Sequence, residues 1–238
     1  MATVRQLTAL DETFMVTPRP GPGVCRTCFN LVEGYDRCYA CVHGGGALAA
    51  MLPISYSVAH EQLHHALASY KRTGDRVSRH LGVELAAMLW RFLDRHEDCL
   101  ARATATDGFE LVTTVPSTDP ERDQEHPLRS IVGNMAGPTR SRYEHLLYRT
   151  AARIDGRVFD ARKFGTSRAL AGEAVLLIDD TWTTGANAQS AAAALRASGS
   201  GPVAAVVIGR HINRVWGDND RRLRTLPPFD WDTCALCA

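Results

Sequence analysis

The residues of this chain that can do chemistry fall into two groups, one of acids and hydroxyls and one of thiols. Between Val175 and Gln189 the sequence reads VLLIDDTWTTGANAQ. Its apolar start predicts a buried strand that delivers Asp179 and Asp180 to its carboxyl end, where ligands bind in open α/β sheets. Thr181, Trp182, Thr183, Thr184 and Gly185 then make a tight loop before a helix. Such a loop brings backbone N–H groups, hydroxyls and a helix N-terminus to one point, which suits a phosphate dianion. Two acids beside a phosphate would repel it unless they face something else. The vicinal hydroxyls of a ribose meet that need, since a carboxylate accepts the hydrogen bonds they donate. A Walker B strand also ends in acids, but no Gly-x-x-x-x-Gly-Lys-Ser/Thr segment exists in the chain to cradle a nucleoside triphosphate.

The thiols are seven cysteines, six of them in Cys-x-x-Cys pairs. Cys25 and Cys28 are separated by nine residues from Cys38 and Cys41. This double spacing brings four thiolates within reach of one tetrahedral ion and predicts a structural zinc site, because four sulfurs leave no open coordination position. Zinc binding worth about 10 to 16 kcal/mol in small peptides is ample to order a segment with almost no core of its own. Cys234 and Cys237 form the third pair, for which a second metal site, replacement of one N-terminal pair and a disulfide all stay open. Cys99 stands alone in a helical apolar pattern and is expected to be a buried, inert thiol. None of the nine histidines has a spacing that marks a metal ligand.

Elements must exist to position these groups. Leu63, Leu67 and Tyr70 recur at helical spacing, and Asp75 is an N-cap for a longer helix bearing Val77, Leu81, Leu85, Leu89, Phe92, Leu93 and Leu100 on one face. Strands are expected at Phe109 to Val115, Ala174 to Ile178 and Val203 to Ile208, with a weaker one at Arg157 to Phe159. Helices are expected at Leu128 to Met135, Tyr143 to Ala152 and Ala188 to Ala197. Apolar strands without alternation, separated by helices, predict an α/β fold: a mostly parallel sheet flanked by helices, with a small N-terminal zinc knuckle. The expected organisation is a flexible tail over 1–24, a zinc-binding element over 25–46, the α/β domain over 47–225 and a C-terminal tail over 226–238.

The segment at 175–187 resembles the binding signature of the phosphoribosyltransferases, in which four apolar residues, two acids and a Thr/Gly loop take a ribose 5-phosphate. The resemblance implies transfer of phosphoribose from phosphoribosyl pyrophosphate (PRPP) to an acceptor, with Mg²⁺ on the diphosphate. Asp179 and Asp180 would anchor the ribose hydroxyls, and Thr181 to Gly185 the 5-phosphate. Leu111 to Thr118, LVTTVPST, is similar to the family's pyrophosphate loop and implies a role there for Ser117 and Thr118. Asp119, Glu121, Asp123 and Glu125 surround Arg122, a departure from the arginine-rich loop the family would place here. A four-cysteine element ahead of such a domain, and the run Tyr70, Lys71, Arg72 and Gly74, are similar to the competence-associated ComF-type branch.

Twenty-seven basic residues against 26 acidic ones leave a net charge of +1, so no global field draws the chain to nucleic acid or membrane. Between Cys25 and Cys41, Arg26 and Arg37 are balanced by Glu33 and Asp36, so strong nucleic-acid binding is not expected. A basic run from 139 to 172 precedes the Asp179 strand, and Arg162 and Lys163 are its preferred anion contacts. No apolar stretch reaches the roughly 18 residues a membrane span needs, and the first twenty residues lack the apolar core of a secretory signal. A cytoplasmic location is expected, with PRPP and a small-molecule acceptor as partners and a homodimer allowed. The alternative from a different class is a non-catalytic sensor of PRPP or a nucleotide, acting through its zinc element on nucleic acid or a protein.

Overall fold

Four apolar stretches pair side by side to form the frame of the protein. A computed structural model describes residues 2–72, 75–117, 123 and 125–237. Within it, β1 (Ala50–Val58), β6 (Val203–Ile212), β5 (Val175–Trp182) and β2 (Leu111–Thr114) lie in the order β1-β6-β5-β2. Every neighbouring pair is parallel. Val175 to Ile178 and Val203 to Ile208 are all fully buried, as expected of parallel strands covered by helices. The covering elements include α1 (Gln62–Ser69), α2 (Arg76–Ala103) and α3 (Ala186–Ala197).

Helix α2 starts where the sequence places it, with the Asp75 carboxylate accepting from Ser78 N at 2.6 Å. Leu85, Leu89, Phe92, Leu93 and Leu100 of its expected stripe are buried. Val77, in the first turn, is exposed, while its neighbour Ser78 is buried. Helix α1 sits close to β6 at Gly209, where a Cβ would lie 2.5 Å from Leu67 Cδ1 and 2.7 Å from Ser57 Cβ.

Two local expectations are corrected. Tyr143 to Ala152 is not helical; it contains β3 (Leu147–Arg149), antiparallel to β4 (Phe164–Thr166). Arg157 to Phe159 is not a strand. Adjacent buried residues such as Leu146 and Leu147 fit either period over so short a run, and the choice was made by the distant partner at Phe164.

The segment before Cys25 is packed onto the domain. Thr8, Met15 and Thr17 are buried, Tyr56 N donates to Val16 O at 2.9 Å, and Ser55 Oγ donates to the same carbonyl at 3.1 Å. These bonds cover the outer edge of β1, which would otherwise expose unpaired backbone groups. At the other end Phe229, Trp231, Cys234 and Ala235 are buried as well. No helix among the described residues is long and apolar enough to cross a membrane.

The Gly209 contact leads to a first prediction. Gly209→Ala should destabilise the fold by about 1 to 3 kcal/mol through overpacking between α1 and β6. Denaturant unfolding measures this, and an unchanged midpoint would show that α1 can retreat from the sheet.

Candidate functional site

Strand β5 lies between β6 and β2 and carries the acid pair toward its carboxyl end, just past the last β2 pair at Thr114 and Ile178. Alternation along the strand separates the two acids. Asp180 is buried and takes two partners on one oxygen: Tyr70, just after α1, donates its hydroxyl to Oδ2, and Lys71 Nζ lies 2.7 Å from the same atom. Burial and the Asp180 charge hold the Tyr70 hydroxyl well above the usual phenol range, so it remains a donor. Asp179 is half-buried without such a partner, and its Oδ1 accepts from Asp180 N at 2.9 Å. Burial, followed by the charge of Asp180, pushes the Asp179 carboxyl up to about 8. The pair is therefore asymmetric, with one acid neutralised by a lysine and the other left to hold a proton or find a donor.

The strand runs through Thr181 and Trp182, so the loop itself is Thr183, Thr184 and Gly185. Gly185 has φ +80°, and a Cβ there would collide with the indole of Trp182. Glycine is needed both for the left-handed turn and for the indole beneath it. The Trp182 ring is buried under the loop, and its indole Nε1 has no hydrogen-bond partner among the described residues. Helix α3 follows at once, with Thr184 Oγ1 accepting from Ala186 N at 3.3 Å.

Lys163 reaches this helix end. Its side chain is buried, and Nζ donates to Asn187 Oδ1 and to Gly156 O, each at 3.1 Å. Burial and the neighbouring Arg149 lower the Lys163 ammonium. Arg149 lies 5.7 Å from the Phe164 ring centroid, and its buried Nη1 has no hydrogen-bond partner. Lys163 at the helix N-terminus, with Arg149 near it and Asp155 and Asp160 partly offsetting the charge, makes a positive region that suits an anion.

The other expected contacts are placed less favourably. Arg162 is exposed and bound to Asp160 at 2.6 Å. Arg142 is engaged by Glu97, and Arg168 by Glu144 and Glu173, so much of the basic run is paired within the protein. Ser117 follows β2 at the same sheet end, its N–H donating to Asp123 Oδ1 at 2.7 Å. Asp123 also pairs with Arg129, which uses one of the acids of this segment internally. Thr118, Asp119, Glu121 and Arg122 lie outside the described residues.

Cys25, Cys28, Cys38 and Cys41 are all buried and present their sulfurs within 4.8 Å of one another, a group that can hold a metal ion. Buried Arg210 of β6 tests that fit. It donates to Cys28 O at 2.9 Å and Trp182 O at 3.1 Å, and Nη2 lies 3.5 Å from Cys28 Sγ. No carboxylate pairs with this guanidinium among the described residues. A divalent metal held by four thiolates keeps two negative charges overall and supplies the missing counter-charge. Tyr56 OH donates to Phe29 O at 2.7 Å and pins the element to β1. Cys234 and Cys237 do not approach this cluster, so they replace neither of its pairs.

No family model and no curated protein matches this chain. Helical spacing marked Tyr70 and the resemblance marked Tyr70 and Lys71, but neither pointed to Asp180, from which Tyr70 is separated by 110 residues. Arg149 was marked only as one member of the basic run over 139–172, and Arg210 had no signal beyond its type.

Two predictions follow from these centres. In the folded protein Asp179 keeps a proton between about pH 4 and pH 8 that the unfolded chain releases, so stability falls as pH rises through that window. Asp179→Asn keeps the acceptor for Asp180 N, and should match the wild-type melting temperature near pH 4 and exceed it at pH 9; parallel profiles would refute the raised carboxyl. Elemental analysis of a Cys25→Ser, Cys28→Ser variant should show the loss of one zinc per chain, and undiminished metal would rule out a zinc knuckle here.

Proposed function

We propose that the protein is a PRPP-dependent phosphoribosyltransferase. The observation that carries this reading is the convergence, at the carboxyl end of the central strand β5, of an acid pair, a glycine loop and the N-terminus of α3, whose first-turn Asn187 accepts from Lys163. The acid pair suits two ribose hydroxyls. The Thr183–Gly185 loop and α3 suit the 5-phosphate, with Lys163 adding positive charge from the side. Ser117, on the neighbouring strand end, lies where a departing pyrophosphate would need donors, and Mg²⁺ would accompany that group as part of the donor.

In the reaction the bond from the anomeric carbon to the pyrophosphate oxygen breaks with its electron pair, and a bond to the acceptor nucleophile forms. The anomeric carbon gains positive character meanwhile, and the Asp180 carboxylate, joined by Asp179 once donor binding has passed its proton to solvent, stabilises that charge through space. Asp180 is held in place by Tyr70 and Lys71, so its charge is oriented before the donor arrives. The acceptor is a small molecule.

The Asp179→Asn, Asp180→Asn double variant tests the assignment. Two charge-assisted hydrogen bonds of about 1.5 to 3 kcal/mol each are weakened, so PRPP affinity should drop by at least tenfold while circular dichroism stays native. Titration calorimetry reads the loss, and unchanged affinity would remove the site. Pyrophosphate release from PRPP with a pool of bases, amines and nucleotides separates turnover from binding alone; tight binding without release would favour the sensor.

A further inference from the structure

Far along the chain from the first cysteine cluster, four groups meet that no sequence spacing connects. His96 and Cys99 are one helical step apart on the same face of α2. Cys234 and Cys237 approach them from the C-terminal segment, and the four candidate ligand atoms lie within 4.8 Å of one another. His96 Nδ1 is 3.9 Å from Cys99 Sγ and 3.8 Å from Cys237 Sγ, and the Cys234 and Cys237 sulfurs are 3.3 Å apart. A tetrahedral zinc with Zn–S near 2.3 Å and Zn–N near 2.0 Å places its ligand atoms about 3.5 to 3.8 Å apart. We propose that His96, Cys99, Cys234 and Cys237 form a second structural zinc site, which clamps the C-terminal segment onto helix α2.

The surroundings are those of a metal site. His96 Nε2 lies 2.9 Å from Trp231 O; donation there places the proton on Nε2 and leaves the Nδ1 lone pair directed at the sulfurs. The sulfurs in turn accept from their surroundings: Leu236 N lies 3.4 Å from Cys234 Sγ, Cys234 N 3.3 Å from Cys237 Sγ, and Arg102 Nη2 3.4 Å from Cys99 Sγ. Such N–H donors stabilise thiolates, and Arg102 offsets the single negative charge of a zinc held by three thiolates and a neutral imidazole. His96, Cys99 and Cys234 are buried, whereas Cys237 is exposed and gives the ion a path of entry.

The packing shows what the clamp would hold. Trp231 is buried with Arg91 over its ring at 4.3 Å, and Asp232 pairs with Arg95. The C-terminal segment therefore lies along α2 from Arg91 to Arg102, with the metal as its strongest fixed point. Together the two sites use all seven cysteines of the chain, four in the first and three in the second.

Zinc analysis of the full-length wild type reconstituted with the metal should give two ions per chain, falling to one in the Cys234→Ser, Cys237→Ser variant and to one in the Cys25→Ser, Cys28→Ser variant. Because the first of these variants can fail to fold, X-ray absorption at the zinc edge is measured on wild type, where a mean first shell of seven sulfurs to one nitrogen is expected. In Cys25→Ser, Cys28→Ser the shell should become three sulfurs and one nitrogen. One zinc in a shell of sulfur alone, or a Cys234–Cys237 disulfide found by peptide mapping of the native protein, would overturn the proposal.

Discussion

Arg210 is the residue on which the arrangement of the molecule turns. A guanidinium buried in a sheet is costly unless its donors are used and its charge is met. Its donors reach the carbonyls of Cys28, Trp182 and His211, and Nη2 approaches the sulfur of Cys28. One side chain thus joins the cysteine element to the end of β5. The short stretch from Cys25 to Cys41 has too little apolar surface to hold itself. The sheet residues Arg210 and Tyr56 hold it to the domain, and its four buried thiols are placed so that they can bind an ion. A metal held there would leave a net negative tetrathiolate that offsets the buried charge of Arg210.

The other end of that guanidinium contact is the candidate site. Trp182 O accepts from Arg210 while the Trp182 indole fills the space beneath Gly185, so the loop before α3 is fixed from below. A rigid loop of this kind can bind an oxyanion with little loss of entropy. The electrostatics above it are divided. Asp180 is tied to Lys71 and Tyr70, Asp179 is left without a cation of its own, and Lys163 and Arg149 form a positive corner at the start of α3. Acid on one side and base on the other is a distribution that fits a ligand with a hydroxylated middle and an anionic end.

Both ends of the described chain are fastened to the same sheet and helix layer. The N-terminal segment covers the edge of β1 through Val16 and then enters the first cysteine cluster, while the C-terminal segment lies along α2. Neither end has an apolar pattern long enough to form a regular element that packs alone. Isolated anchors, a buried Met15 or Trp231 and the thiols beside them, take the place of a continuous hydrophobic face.

The α/β class, the four-cysteine cluster, the start of α2 at Asp75 and the position of the acids at the end of a buried strand were all legible in the sequence, because each depends on local chemistry: an apolar run, a cap, a ligand spacing. Those same local rules misread 143–152 as a helix, where a partner some twenty residues later made a strand. They could not bring Tyr70 and Lys71 to Asp180, nor assign a partner to Cys99. A Cys-x-x-Cys beside a terminus is half of a site, and the other half, His96 and Cys99, lies on a helix more than a hundred residues earlier with the spacing of any amphipathic stripe. Spacing reveals ligands only when one short segment carries them all. Where the chain must close a long loop to complete a site, only the tertiary packing, here of Trp231 against α2, decides which side chains meet.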